Sequence, residues 1–502
     1  MRNHSLTTLL SPRRIAPVRI HGAVLLCFLA AGLLAGCSSR VSSKDIRASI
    51  ASGNVTGLET ELRETHTSYG EMVTALNLAR ICQLDGRWRL SVKAFEEADA
   101  LLQEYENRAI VNMRGIGSSV GAAVLSAGAE SYFGTGYERS LLHTFNALNY
   151  IMLADYPGAA VEMRRMTRRQ ELWLEESQAR IEKNLSNGAK AVSPEDLPVE
   201  YSMRDLLRDE AVRGLLNNYQ DSFSYALAAL VYRLAGDFQA ADVSMRRAIA
   251  LDPNAEKMFK RSWPGKQPRA GSAVKQDTIP PAVPPLPPSP PRGERAVDAR
   301  PGNAPDTQEV TLVVFTGLAP SLGVENVRIW FPAIGYILID LPTYTRPVRG
   351  SAPDVSAATL AKFVFYPLLR TDLMAYRTLW DEVGTEVALA AGRAAVRAGV
   401  SAGAYTAAAS NKDTRDFAPL IGSLTTMIMD MIASTMSGSV RNWETLPNTG
   451  YLAMETVPRG SIITIGSGSS KRLISLPPEA RGSIIMITQL SENTLKVHYA
   501  TY

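Results

Sequence analysis

Three stretches of this 502-residue chain repeat one pattern of small residues, and that recurrence limits the fold more than any other feature. In residues 221–254, Ala229 and Tyr232 sit on a first helix, Gly236-Asp237-Phe238 makes a turn, and Ala241, Met245 and Ala248 follow on a second helix before Pro253. Small residues are needed where paired helices cross closely, and the Gly-Asp-Phe turn reverses the chain. Residues 72–99 repeat this with Ala79, Cys82, Gly86-Arg87-Trp88, Ser91, Phe95 and Ala98. Residues 140–166 do so with Ala147, Tyr150, Ala154-Asp155-Tyr156, Ala159, Met163 and Met166. The turns at Gly86 and Ala154 are 68 residues apart, two periods of 34. A stack of such pairs buries each against its neighbours and leaves a concave face lined by first helices. The groove-facing positions are Arg80, Gln83, Thr144, Met152, Phe223 and Arg233, which are the candidate partner contacts. An irregular helical bundle would share the core residues and lack the groove.

The 34-residue period is that of tetratricopeptide repeats. Between the pairs, Gly117-x-x-x-Gly121 lies in a small-residue stretch too short to span a membrane, which reads as a buried loop or tightly packed helix. Arg168, Arg169, Glu171, Glu175, Glu176 and Arg180 recur at helical spacing, the pattern of a solvated helix face.

Residues 264–305 hold 12 of the 29 prolines, which favours an extended spacer over packed structure. Beyond it the period shortens. Val310–Phe315, Val327–Phe331, Tyr336–Leu341, Ser461–Ile465 and Ser483–Thr488 read as strands, and Leu495–Tyr499 completes a terminal hairpin. Between the two strand groups, Leu379–Ser410 and Phe417–Ser437 read as helices rich in Ala, Gly, Ser and Met. Asp381, Glu382, Glu386, Arg393, Arg397 and Asp430 argue for a packed soluble hairpin, because charge inside a membrane is expensive. The fold class is therefore α+β. A tetratricopeptide-like helical domain spans 54–260, a proline-rich linker 261–308, and a mixed β domain 309–502 with a helical hairpin at about 379–437.

The leader locates the protein. Arg13, Arg14 and Arg19 precede the apolar run 23–34, which has the length of a secretory signal and falls short of a bilayer span. The run ends in Leu34-Ala35-Gly36-Cys37, which resembles the bacterial lipobox. That resemblance implies removal of residues 1–36 and acylation of Cys37, with attachment to the bilayer through the acyl chains. Ser38, where Asp would favour retention at the inner membrane, implies the outer membrane. A polar tether would then occupy 37–53. From Cys37 onward 49 basic residues balance 49 acidic ones, so no basic face points to nucleic acid.

Signs of catalysis are sparse. His66, His143 and His498 lie in separate segments without zinc-ligand spacing, and Cys82 has no cysteine neighbour, so neither a metal nor another cofactor is expected. Gly466-Ser467-Gly468-Ser469-Ser470-Lys471 lacks the ending of a phosphate loop and reads as a hairpin turn. Glu138 and Glu162 beside Arg139 and Arg164 read as a salt-bridged helix surface. No catalytic residue is assigned.

Gly136-Tyr137-Glu138-Arg139, Leu142-His143, Asn149-Tyr150, Asp155-Tyr156, Ala159 and Glu162-x-Arg164-Arg165 form one signature. Gly317-Leu318-Ala319-Pro320, Pro342-x-Tyr344 and Arg441-x-Trp443-x-x-Leu446-Pro447 extend it through the second half. With these residues the chain resembles a functionally uncharacterised family of proteobacterial envelope lipoproteins that carry a tetratricopeptide-like region. The similarity covers most of the mature chain, although the proline linker is longer here. It implies an outer-membrane lipoprotein facing the periplasm that assists cell-wall synthases or export machinery by binding envelope proteins. The competing expectations are a cell-wall-active hydrolase or transglycosylase, which needs an acidic pair in a cleft, and a membrane-embedded component of an export assembly.

Overall fold

Three helix pairs close on one and the same turn. The computed structural model describes residues 43–64, 71–114, 134–186, 197–263, 306–331, 335–357, 362–383, 410, 442–468, 470–491 and 494–502. The leader, His66, the small-residue stretch 115–123, the proline-rich stretch 264–305 and most of the helical hairpin expected at 379–437 lie outside these residues. The helices are α1 Ser43–Ser52, α2 Val55–Glu64, α3 Glu71–Leu84, α4 Trp88–Arg114, α5 Gly136–Met152 and α6 Tyr156–Ser186. They continue with the single turns α7 Arg204–Leu207 and α8 Glu210–Arg213, then α9 Ser222–Leu234, α10 Phe238–Leu251 and α11 Pro253–Ser262.

The pairs are α3/α4, α5/α6 and α9/α10. In each, the left-handed residue after the first helix is Gly86, Ala154 or Gly236, with φ of 73°, 56° and 83°. The next amide reaches back to the last turn, from Arg87 to the Cys82 carbonyl, from Asp155 to Tyr150 and from Asp237 to Tyr232, at 2.8–2.9 Å. This double-bonded stop satisfies carbonyls that the helix end would otherwise leave unpaired. Asp155 and Asp237 then cap the second helices, accepting from the Gly158 and Ala240 amides. The second and third turns are 82 residues apart, not a multiple of 34, because the irregular segment with α7 and α8 comes between them.

A five-stranded sheet packs on the helices in the order β10-β9-β1-β6-β5. It comprises β1 Thr307–Thr316, β5 Tyr366–Arg370, β6 Thr449–Pro458, β9 Gly482–Ser491 and β10 Thr494–Thr501. β1 and β9 run parallel, and the other pairs are antiparallel. A second sheet, β4 Asp354–Ala357, β7 Ile462–Ser467 and β8 Ser470–Ser475, covers the opposite face. Along β1, Val313 and Phe315 join the helical core, whereas Val310, Leu312 and Val314 meet Val355, Ile463 and Ile465 of the small sheet. Burial on both faces explains the unbroken apolar run of β1. The third unit is a two-stranded ribbon, β2 Leu322–Phe331 and β3 Gly335–Tyr344. The stretch around Ser467 is the β7–β8 hairpin turn, as its sequence suggests.

Three expectations change. The tether is shorter than 37–53, because α1 is helical from Ser43 and buries Ile46 and Ile50 completely. The linker is bounded more tightly, since α11 runs to Ser262 and β1 starts at Thr307. The division into a helical and a β domain does not divide the core: Phe145 and Phe223 of the helices pack against Phe315 of β1 at 5.1 and 5.3 Å, and residues 43–502 form one compact unit.

The turns generate a graded prediction. Ala154 holds a left-handed conformation that costs an L-residue about 1 kcal/mol. Ala154→Gly should therefore raise stability by several tenths of a kcal/mol. Gly236→Ala should cost about 1 kcal/mol, since an added Cβ meets nothing within 4 Å. At Gly317 (φ 67°) the same Cβ would lie 1.9 Å from the Val348 carbonyl oxygen, so Gly317→Ala should cost several times more. Denaturant melts of the three variants check the order, and equal losses at Gly236 and Gly317 would refute it.

Candidate functional site

The six groove-facing residues all point to the chain's own second half or to its core. Arg80 is fully buried on α3, its guanidinium 4.2 Å from the Phe145 ring and 5.7 Å from that of Phe315. Burial lowers its pKa to about 9. It donates to the Gln83 side chain, which itself donates to the Phe145 carbonyl and to Asn149 Oδ1 at 2.8 and 2.7 Å. Asn149 reaches Ser91 Oγ at 2.8 Å, and Ser91 donates to the Ala79 carbonyl, so this polar string ties α3, α4 and α5 together. Phe223 lies against Phe315. Arg233 forms a two-pronged pair with Glu309 of β1, at 2.6 and 3.1 Å. Met152 is half-buried against the shared core. Thr144 Oγ1 meets Ser224 Oγ at 2.8 Å, and that serine donates to Asp221, the cap of α9. The surface expected to form a partner groove is thus covered in cis by β1 and by the loop at 442–448.

That loop is fastened at its centre. Trp443 is completely buried, with Phe95 and Phe145 edge-on at 5.8 and 5.7 Å. Its backbone N–H donates to Glu138 Oε1 at 2.8 Å, while the other oxygen of Glu138 accepts from the Thr135 amide and hydroxyl. The Thr445 amide donates to Asn77 Oδ1, and the Ala319 amide to the Leu446 carbonyl. Glu138 is therefore an interior capping group and not the helix-surface residue that its neighbour Arg139 suggested. Of the signature residues, Glu138, Ala319, Trp443 and Leu446 meet here.

Among the described residues, an assembly of titratable groups with an adjoining cavity lies between α4, α5 and α6. The cavity, of ≈ 280 Å³, is lined by Asp99, Glu106, His143, Arg165 and Arg169 among others. His143 is buried on α5, with Nδ1 2.8 Å from Glu162 Oε2 and Nε2 3.5 Å from Asp99 Oδ1. Arg169 bonds Asp99 and Glu106, and its Nε lies 3.3 Å from His143 Nε2. Arg165 pairs with Glu162 at 3.0 Å, and Arg139 with Glu176 at 2.6 Å. Glu162 and Arg169 were expected on solvated faces; both are buried. The helical spacing holds, but the face of α6 that carries both turns inward, toward His143 of α5 and toward Asp99 and Glu106 of α4. Asp99 and Glu106 were not singled out at all, and their spacing of seven, two helical turns on one face, is the signal that was available.

Chemically, this arrangement pairs charges. Asp99, Glu106, Glu162 and Glu176 each have an arginine within 4 Å. Interleaved arginines repel a cation, and among the described residues no group of three or more His, Cys, Asp or Glu is placed to hold a metal. Removing one member of a buried network leaves its partners charged and desolvated. Arg169→Met, which strands Asp99 and Glu106, should cost about 3–5 kcal/mol in a denaturant melt. A loss below about 1 kcal/mol would show that the network contributes little.

Asp221 gives a pH signature. Burial pushes its carboxyl from 3.8 to about 6, against the hydrogen bonds that Ser224 donates. Between those values the folded protein binds the proton more tightly than the unfolded chain, so stability falls as pH rises. Asp221→Asn keeps the cap and removes the titration. The wild type should lose on the order of 3 kcal/mol relative to the variant between pH 4 and pH 7. Parallel stability curves would overturn this.

No protein-family model, curated protein or solved structure matches the chain, so the reading of its sites rests on geometry and sequence.

Proposed function

We propose that the chain is an outer-membrane lipoprotein facing the periplasm that binds envelope proteins as a non-enzymatic adaptor. The observation that carries this reading is the placement of Leu34-Ala35-Gly36-Cys37 six residues before a helix whose Ile46 and Ile50 are fully buried. An acylated Cys37 would hold such a body close to the bilayer. The resemblance to proteobacterial envelope lipoproteins agrees with it. The helical half is read as tetratricopeptide-like, supported by the identical stops at Gly86, Ala154 and Gly236. Its concave face is covered by β1 and the 442–448 loop, so partners are assigned to the outer faces of the helices and to the sheet edges. The hydrolase reading needs a carboxyl free to protonate a leaving group. The carboxylates beside the His143 cavity are engaged by arginines, which favours a scaffold.

Cys37→Ala should abolish incorporation of labelled fatty acid and move the protein out of the outer-membrane fraction. Crosslinking of the wild type in cells should capture envelope proteins, and the same set should remain with Glu162→Gln once expression is matched. Fatty acid still entering the Cys37→Ala protein would refute the anchor. Cell-wall cleavage by purified protein that Glu162→Gln abolishes, at unchanged melting temperature, would replace the adaptor with a hydrolase.

A further inference from the structure

The cavity beside His143 opens between α4 and α6. Its floor is formed by Asp99, Glu106 and Arg169, all buried. Its mouth is framed by exposed Gln103, Asn107 and Arg168 and by half-buried Leu172. At ≈ 280 Å³ it lies near the lower end of small-molecule sites, which begin at about 300 Å³.

The charges of this wall are already matched. Arg169 pairs with both Asp99 and Glu106, Arg165 with Glu162 at 3.0 Å, and Arg168 with Glu171 at 3.4 Å. A charged ligand of either sign would have to displace one of these partners, and a charge stranded at a buried position is costly. A neutral ligand breaks no pair. The wall still offers hydrogen bonds of both kinds side by side, because arginine carries only donors and a carboxylate only acceptors. One acceptor is left over. Glu106 is 7 % exposed and directs Oε2 to Arg169, while its Oε1 receives no hydrogen bond among the described residues. Arg139 Nη1 stands 3.8 Å from that oxygen, beyond hydrogen-bond reach. A buried carboxylate oxygen without a donor is unfavourable, and a donor entering the cavity relieves it.

The interleaving of donors and acceptors selects among neutral ligands. A hydroxyl donates and accepts at a single atom. Adjacent hydroxyls on one ring can therefore donate to Asp99 or Glu106 and accept from Arg168 or Arg169, with every ion pair left in place. A peptide separates its N–H and C=O groups along the backbone and is held best by a sheet edge, which two helices do not provide. Leu172 gives the C–H face of a sugar ring an apolar contact. We propose that this cavity binds a neutral oligosaccharide. The inference goes beyond the adaptor reading and does not depend on acylation of Cys37, because it uses only residues of α4 and α6 and their neighbours. Failure of the anchor and failure of the sugar site are therefore separate results.

The test is saturation-transfer NMR on the purified full-length chain in a detergent without a sugar headgroup. Maltotriose, mannotriose and chitotriose are the probes. Inorganic phosphate and N-acetyl-trialanine amide are the competitors, one an anion and the other a neutral peptide. At least one trisaccharide should bind, and neither competitor in excess should displace it. Glu106→Gln, which replaces the unpaired acceptor with an amide, should weaken binding about tenfold or more, the loss expected for a hydrogen bond to a charged group. Gln103→Trp, which fills the exposed mouth, should abolish binding at an unchanged melting temperature. If Glu106→Gln melts early, Gln103→Trp and Arg168→Ala, both at exposed positions, decide the matter. No binding of any trisaccharide, binding that Gln103→Trp leaves intact, or displacement of the sugar by phosphate or by the peptide overturns the proposal.

Discussion

The hydrogen bond from the Trp443 amide to Glu138 is the contact on which the joining of the two halves depends. Residues 305 positions apart meet there inside the core. A buried carboxylate is tolerated only when donors surround it, and those of Glu138 include the Thr135 amide and hydroxyl at the start of its own helix and the Trp443 amide from the second half. The start of α5 is therefore completed by the 442–448 loop. Around that bond, Phe95, Phe145 and Phe315 supply the apolar contacts, and Asn77 supplies a second fixed acceptor. Apolar packing drives the halves together without direction. The two directional bonds select one register of the loop on the helices.

The same logic explains why the helical layer tolerates so much buried charge. Helix α3 is buried from Met72 to Leu84, between the other helices and the sheet, and so cannot present a polar face to water. Its polar residues Asn77, Arg80 and Gln83 must find partners inside, and they find them on α5 and the second half. On the other side of α5, a purely apolar contact among α4, α5 and α6 is replaced by the network of Asp99, Glu106, His143, Glu162 and Arg169. Such networks contribute less to stability than apolar packing of the same volume, and their loss of one member is severe. They do fix how three helices are rotated against one another, because each charge accepts only one set of neighbours.

The helix pairs are legible in the sequence because a close crossing demands small residues and a reversal demands a left-handed residue, and both demands are local. Ala79, Ala147 and Ala229, with Gly86, Ala154 and Gly236, meet them. The strands β1, β7 and β9 are legible for a related reason, since buried strands are apolar and β-branched; β10, half-exposed throughout, is legible as the second arm of a hairpin. β6 was not seen: Thr449-Gly450-Tyr451-Leu452-Ala453-Met454 has neither alternation nor β-branched enrichment, and it becomes a strand because β1 and β5 flank it. α1 escaped notice as well, with only Ile46 and Ile50 to mark its buried side.

What the residues determine by themselves is therefore local: turn, helix, strand and the overall α+β class, each set by steric or periodic rules within some twenty residues. What the tertiary structure alone decided is which polar residues are inside. Glu138, Glu162 and Arg169 look like surface charges when read along a helix, because periodicity reports which residues share a face and not what that face meets. Arg80, Gln83, Phe223 and Arg233 are expected on a groove by repeat spacing, and in the structure Arg80, Phe223 and Arg233 meet β1 while Gln83 bonds to α5. Whether that groove is open to a partner depended on the distant β1 strand and Trp443 loop, whose arrival is a matter of packing across several hundred residues.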